Sequence, residues 1–120
     1  MVYDAEMRRL VSGALVRLRA HSPFFAALAL FAGIHASETI PTAATDGRDI
    51  FVNRAFLARL TPAQRAGVIL HEVLHAALRH VSRRGTRDPL LWNIAADIVV
   101  NGLIAQEPAY ELPLGTIRKR

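Results

Sequence analysis

Apolar residues recur at helical spacing over residues 4–20, where Leu10, Ala14 and Leu18 line up beside Val11 and Leu15, and this predicts an amphipathic helix. Ser22-Pro23 then reads as a cap followed by a first-turn proline. It opens the most apolar run of the chain, Phe24 to Ile34, which predicts a second, buried helix to about Ala36. From Thr39 to Asn53 the pattern changes. Thr39 to Thr45 is extended in flavour, Asp46-Gly47 is a hairpin signal of the type I′ kind, and Arg48 to Val52 returns as a strand. Pro41 suits an edge strand, where no ladder donor is lost. Asn53 can cap a short helix through Leu60. Thr61-Pro62-Ala63-Gln64 combines an N-cap, a first-turn proline and a capping-box glutamine, so a long helix is expected from Pro62 to Arg84, stopped by Gly85. Asp88-Pro89 repeats the cap-plus-proline signal and opens a last helix to about Ala105; Pro108 and Pro113 forbid much helix beyond it. These elements describe an α+β domain, mostly helical, with one short β-hairpin.

The chain has 120 residues, the length of one domain spanning 1–120. It divides into a helical N-terminal part (1–37), a hairpin and long-helix core (38–105) and a short tail (106–120). With 52% hydrophobic and 21% charged residues the composition is globular. The run at Phe24 is shorter than the roughly 20 residues of a membrane span. It also makes a poor signal peptide, since an amphipathic segment precedes it without an obvious cleavage site. No membrane association and a cytoplasmic location are therefore expected. The net charge of +5 comes mostly from arginine, grouped as Arg8, Arg9, Arg17, Arg19 and as Arg79, Arg83, Arg84, Arg87. No aromatic residues interleave with them as a nucleic-acid stacking platform requires, so they read as solvated helix surface.

Cysteine is absent, which excludes disulfides and a thiolate nucleophile, and leaves His, Asp and Glu as the ligands for any zinc ion. Closed structural zinc sites usually rely on several cysteines, so a metal here points to catalysis. The long helix contains His71-Glu72-Val73-Leu74-His75, the His-Glu-x-x-His pattern. Residues four apart lie about 40° apart around a helix, so both imidazoles leave from one side. Two such ligands leave room for a third protein ligand and a water. Glu72 stands about 100° from His71, beside the metal position, where it can act as base toward a water whose pKa the ion lowers. Leu70, Val73, Leu74, Ala77, Leu78 and Val81 form the core-facing stripe, Arg65, Arg79 and Arg83 the wet side, and the two histidines the flank between them.

For the third ligand, His80 lies about 140° from His75 on an unbroken helix and points away, as a surface histidine. On the last helix Asn93, Asp97 and Asn101 recur every four residues in an otherwise apolar surface of Leu91, Ile94, Ala95, Ile98, Val99, Gly102 and Leu103. A carboxylate on so apolar a helix is costly unless paired or bound to metal. Asp97 is therefore the expected third ligand, with His80 the alternative. In the structural reading, Asp97 instead orients one of the histidines. Asn93 and Asn101 are candidates for a supporting or substrate-contacting role, and Trp92 reads as a core anchor between the last two helices.

Thr45-Asp46-Gly47, Ile50 to Asn53, His71 to His80 and, above all, Leu91-Trp92-Asn93-Ile94-Ala95-Ala96-Asp97 through Asn101 resemble the bacterial putative metallopeptidase domain. This domain is often found N-terminal to a von Willebrand A-like domain. The resemblance covers residues 38–105. It implies a zincin-like fold with the hairpin packed beside the active-site helix, His71 and His75 as Zn2+ ligands and Glu72 as catalytic base. It also implies a peptide or protein substrate, with a partner protein or a von Willebrand A-like domain as further partner. In zincins an edge strand beside the active-site helix pairs with extended substrate; Ile50-Phe51-Val52 or the Thr39 to Thr45 strand resembles that element. The expected function is zinc-dependent peptide-bond hydrolysis. A metal-stabilised interaction module without turnover is the alternative, and nucleic-acid binding through the arginines a weaker third.

Overall fold

A computed structural model describes residues 5–78 and 88–113. Within them lie α1 (Ala5–His21), α2 (Pro23–Ala29), β1 (Gly33–Ala36), β2 (Ala43–Thr45), β3 (Asp49–Val52), α3 (Arg54–Ala58), α4 (Pro62–Ala77) and α5 (Pro89–Ala105). The α+β expectation holds. α4 is the central element: α1, α2, α5 and the sheet all pack on it. Every residue from Ala66 to His75 is buried. The core joins Met7, Val11 and Leu18 of α1 to Ile50, Val52, Ile69, Leu70, Val73, Val100 and Ile104. Each fully buried aliphatic side chain of this kind stabilises the fold by about 1.5–3 kcal/mol.

Three of the four capping signals are realised as read. Thr61 Oγ1 accepts from Gln64 N (3.2 Å) and Gln64 Oε1 accepts from Thr61 N (3.0 Å), closing the capping box. Asn53 Oδ1 accepts from Phe56 N (2.9 Å) at the start of α3, and Asp88 Oδ1 from Leu91 N (3.0 Å) at the start of α5.

The apolar run after Ser22 departs from expectation. It is not one buried helix: α2 ends at Ala29 and Gly33–Ala36 becomes strand β1, paired parallel to β3. Ladder partners in β3 outcompete helix continuation, and Phe24, Leu30 and Phe31 are left exposed. Ser22 does not cap α2 with its side chain; its Oγ accepts from Tyr110 OH (2.8 Å) instead.

The sheet order is β1-β3-β2, with β2 antiparallel to β3. The hairpin forms, but its centre is shifted by one residue. Thr45 pairs with Ile50 and Asp46 N donates to Asp49 O, so Gly47 and Arg48 occupy the central positions. The positive φ (99°) falls on Gly47. Asp46 lies before the turn centre; its Oδ1 accepts from Arg48 N and Asp49 N. Those two bonds hold its carboxyl below the usual range. Ile50–Val52 is the middle strand, with both ladders occupied, so of the two substrate-pairing candidates it drops out. β2 is an edge strand beside α4. The alternation of an antiparallel ladder turns the backbone groups of Ala43 and Thr45 away from β3.

α4 ends at Ala77, with Leu78 as its C-cap, short of the expected Arg84. Ala77 is exposed rather than part of the core stripe, and Arg65 is half-buried rather than wet. Val81, Arg79, Arg83 and Gly85 lie outside the described residues. α5 is less buried than its composition implies. Ala96, Asp97, Val100 and Ile104 face inward, whereas Leu90, Leu91, Ile94, Ile98, Val99 and Leu103 are exposed and Trp92 is only half-buried.

The segment after α5 is structural. Tyr110 and Pro113 are buried, Ala109 O accepts from Arg17 Nε (2.9 Å), and Glu111 N donates to Ala63 O (3.2 Å). This strap crosses α4 at Gly67, where a Cβ would collide with Glu111 O. Gly67→Ala is accordingly expected to destabilise the protein by about 1–3 kcal/mol, because backbone must move to relieve the overlap. The urea midpoint measures the loss. Helix propensity alone predicts a gain for the same change, so the sign discriminates the two effects.

Candidate metal centre

The site is assembled by two helices. α4 carries His71, Glu72 and His75 on consecutive turns, and α5 carries Asp97, placed against them by the packing of Val100 and Ile104 into the same core. His71 is 0% exposed, Glu72 3%, His75 8% and Asp97 7%. The histidines thus sit deeper than a flank between core and water: α5, through Asp97, packs against the side the helix pattern alone left open.

One ligand atom each from His71, His75 and Asp97 lies within 4.8 Å of the others. Asp97 Oδ1 accepts from His75 Nε2 at 2.9 Å and stands 3.5 Å from His71 Nε2. On the other side of its ring, His71 Nδ1 is 3.2 Å from Glu72 Oε2. An ionised carboxylate only accepts, so Nδ1 carries the proton and Nε2 of the neutral ring is an acceptor. That Nε2 is buried and has no hydrogen-bond partner. A buried orphan lone pair is costly unless a donor or a metal ion fills it. The donor chemistry, two imidazoles and one carboxylate with one imidazole oriented by a second carboxylate, fits a divalent ion such as zinc.

Burial opposes charging the His71 ring, but the carboxylates of Asp97 and Glu72 outweigh it and raise its pKa above the ordinary 6.5. A raised histidine pKa contributes stability below the unfolded value, and this is lost as pH rises through the folded value. A metal needs the neutral ring, so proton and metal compete. Zinc affinity is expected to fall on acidification from a pH above 6.5, while the metal-free protein gains stability over the same range. Chelator competition and urea midpoints, both measured across about pH 6–8, check the two opposite slopes.

The structure brings His71, Glu72, His75 and Asp97 together. His80, the alternative ligand, lies outside the described residues. Asn93 is exposed. Asn101, one turn beyond Asp97, keeps a buried Oδ1 without a partner. Sequence reasoning placed it in the polar stripe but had no signal for that unmet acceptor, which depends on what packs around it.

No significant match was found among curated proteins or among solved structures. A family model does match, over residues 7–119, and so takes in α1 and the strap as well as the stretch of the resemblance. With nearly the whole chain covered and a buried His-His-Asp cluster at its centre, the chain belongs to the putative metallopeptidase domain family.

Proposed function

We propose that the protein is a zinc-dependent peptidase of the His-Glu-x-x-His type, in which His71, His75 and Asp97 hold the ion and Glu72 is the catalytic base. The observation that carries this is the orphan Nε2 of His71, aimed at Asp97 Oδ1 inside a closed cluster. Bound there, a zinc ion supplies Lewis acidity and lowers the pKa of a water. The remaining chemistry belongs to the chain. Glu72 fixes the His71 tautomer through one oxygen. Its other oxygen would take a proton from the attacking water and pass it to the leaving amine as the peptide C–N bond breaks. β2 offers the outward backbone groups of Ala43 and Thr45 for pairing with an extended peptide, which would bind with little sequence preference.

The test is zinc per chain by elemental analysis, joined to cleavage of an unfolded protein substrate with and without chelator. About one zinc and chelator-sensitive cleavage support the reading; absence of zinc after loading rejects it. A second reading, a metal-stabilised interaction module without turnover, is favoured by the exposed apolar side of α5, at Leu91, Ile94, Ile98 and Val99. Such a patch is the usual mark of a contact surface. Zinc-dependent melting with no cleavage of any peptide would select it.

A further inference from the structure

Part of the first arginine group lines a cavity: Arg9 is exposed there and Arg17 half-buried. Arg9, Gly13 and Arg17 are spaced by four and share one face of α1. That face meets the first turn of α4, and the two enclose a cavity of about 170 Å³ lined by Arg9, Gly13, Ala14, Arg17, Pro62 and Arg65. Two of the three guanidiniums are pinned through Nε alone: Arg17 donates to Ala109 O (2.9 Å) and Arg65 to Leu57 O (3.1 Å). Among the described residues, their Nη groups make no further hydrogen bond or ion pair. Among the described residues, no carboxylate pairs with Arg9, Arg17 or Arg65; the nearby Glu6 is taken by Arg54 at 2.7 Å. Gathering three cations without an anion costs repulsion. Gly13 adds an independent sign. A Cβ there would meet nothing within 4 Å, so packing does not require a glycine. Yet an interior helix glycine weakens the helix. Gly13 is exposed on the rim of the cavity, and without a side chain there the approach to the arginines stays open.

We propose that this cavity is a binding site for a phosphate group, free or carried as a small monoester. Three arginines that line one cavity from two helices match the several oxygens of a tetrahedral dianion, and arginine presents paired donors to such oxygens. A polynucleotide fits poorly, since the arginines close around one cavity and no aromatic side chain lines it for base stacking. The site is separate from the metal centre, and its failure would leave the peptidase reading untouched.

The experiment titrates inorganic phosphate into the full chain, following heat of binding and melting temperature, against sodium chloride at matched ionic strength. Arg9→Gln removes one cation that makes no described contact with the fold. Gly13→Met fills the cavity and leaves all three charges in place. Saturable phosphate binding is expected in wild type, weakened about tenfold or more in Arg9→Gln, as for loss of one charge-assisted contact. It should be lost in Gly13→Met, with zinc content and helicity unchanged in both variants. Stabilisation no greater than that by chloride overturns the proposal. So does binding unchanged in the two variants, or a short oligonucleotide that binds more tightly than phosphate and in proportion to its length.

Discussion

Glu72→Gln is expected to leave zinc content at the wild-type level while slowing peptide hydrolysis by about 100- to 10,000-fold, the range lost with a general base. The separation of the two readouts follows from the geometry. Glu72 Oε2 meets His71 Nδ1 at 3.2 Å. A glutamine carbonyl oxygen can accept the same proton, so the ring keeps its tautomer and Nε2 remains a lone pair. The substitution removes only the negative charge and proton affinity of a buried group. Zinc by elemental analysis and kcat/KM on a fluorogenic peptide measure the split. Cleavage at the wild-type rate would remove Glu72 from the mechanism. Loss of zinc together with activity would make Glu72 a positioning residue for His71.

Asp97→Ala is expected to weaken zinc binding by about 100-fold or more, at or beyond the upper end of the loss seen for outer-shell partners of a metal. Asp97 Oδ1 lies close to both Nε2 atoms, at 2.9 Å from His75 and 3.5 Å from His71. Without it, two imidazoles remain and the third donor is missing. The zinc-induced rise in melting temperature, which scales with ligand concentration over Kd, should shrink accordingly. Melting of the metal-free variant separates a ligand from a purely structural carboxylate. A structural Asp97 predicts a large loss without zinc and an unchanged zinc increment. A ligand predicts the reverse.

The local signals were legible in the sequence because each is settled within a few residues. Thr61-Pro62-Ala63-Gln64, Asn53 and Asp88-Pro89 cap their helices as written, since a cap satisfies the backbone donors of its own first turn. The His71 and His75 pairing on one face follows from helical pitch alone. Asp97 was recoverable as well, because a lone carboxylate in an apolar helix needs a reason to be there.

Other features depended on neighbours distant in the chain. Whether Gly33–Ala36 extends α2 or forms a strand turns on β3 offering a ladder, which apolar composition cannot report. The one-residue shift of the hairpin centre is a matter of register, set by the pairing of Thr45 with Ile50. Gly67 is a glycine because Glu111 crosses over it, and Ser22 serves Tyr110 across the molecule instead of its own helix. The burial of His71 and the raised pKa that two carboxylates impose on it likewise exist only once α5 docks on α4. By itself, then, the sequence determined where the capped helices begin, and it put His71, Glu72 and His75 on one helix with Asp97 and His80 as alternative partners. Tertiary packing decided how deeply those side chains lie, which strand sits in the middle of the sheet, and which arginines line one cavity, because each is a contact between segments with no local signal for the other.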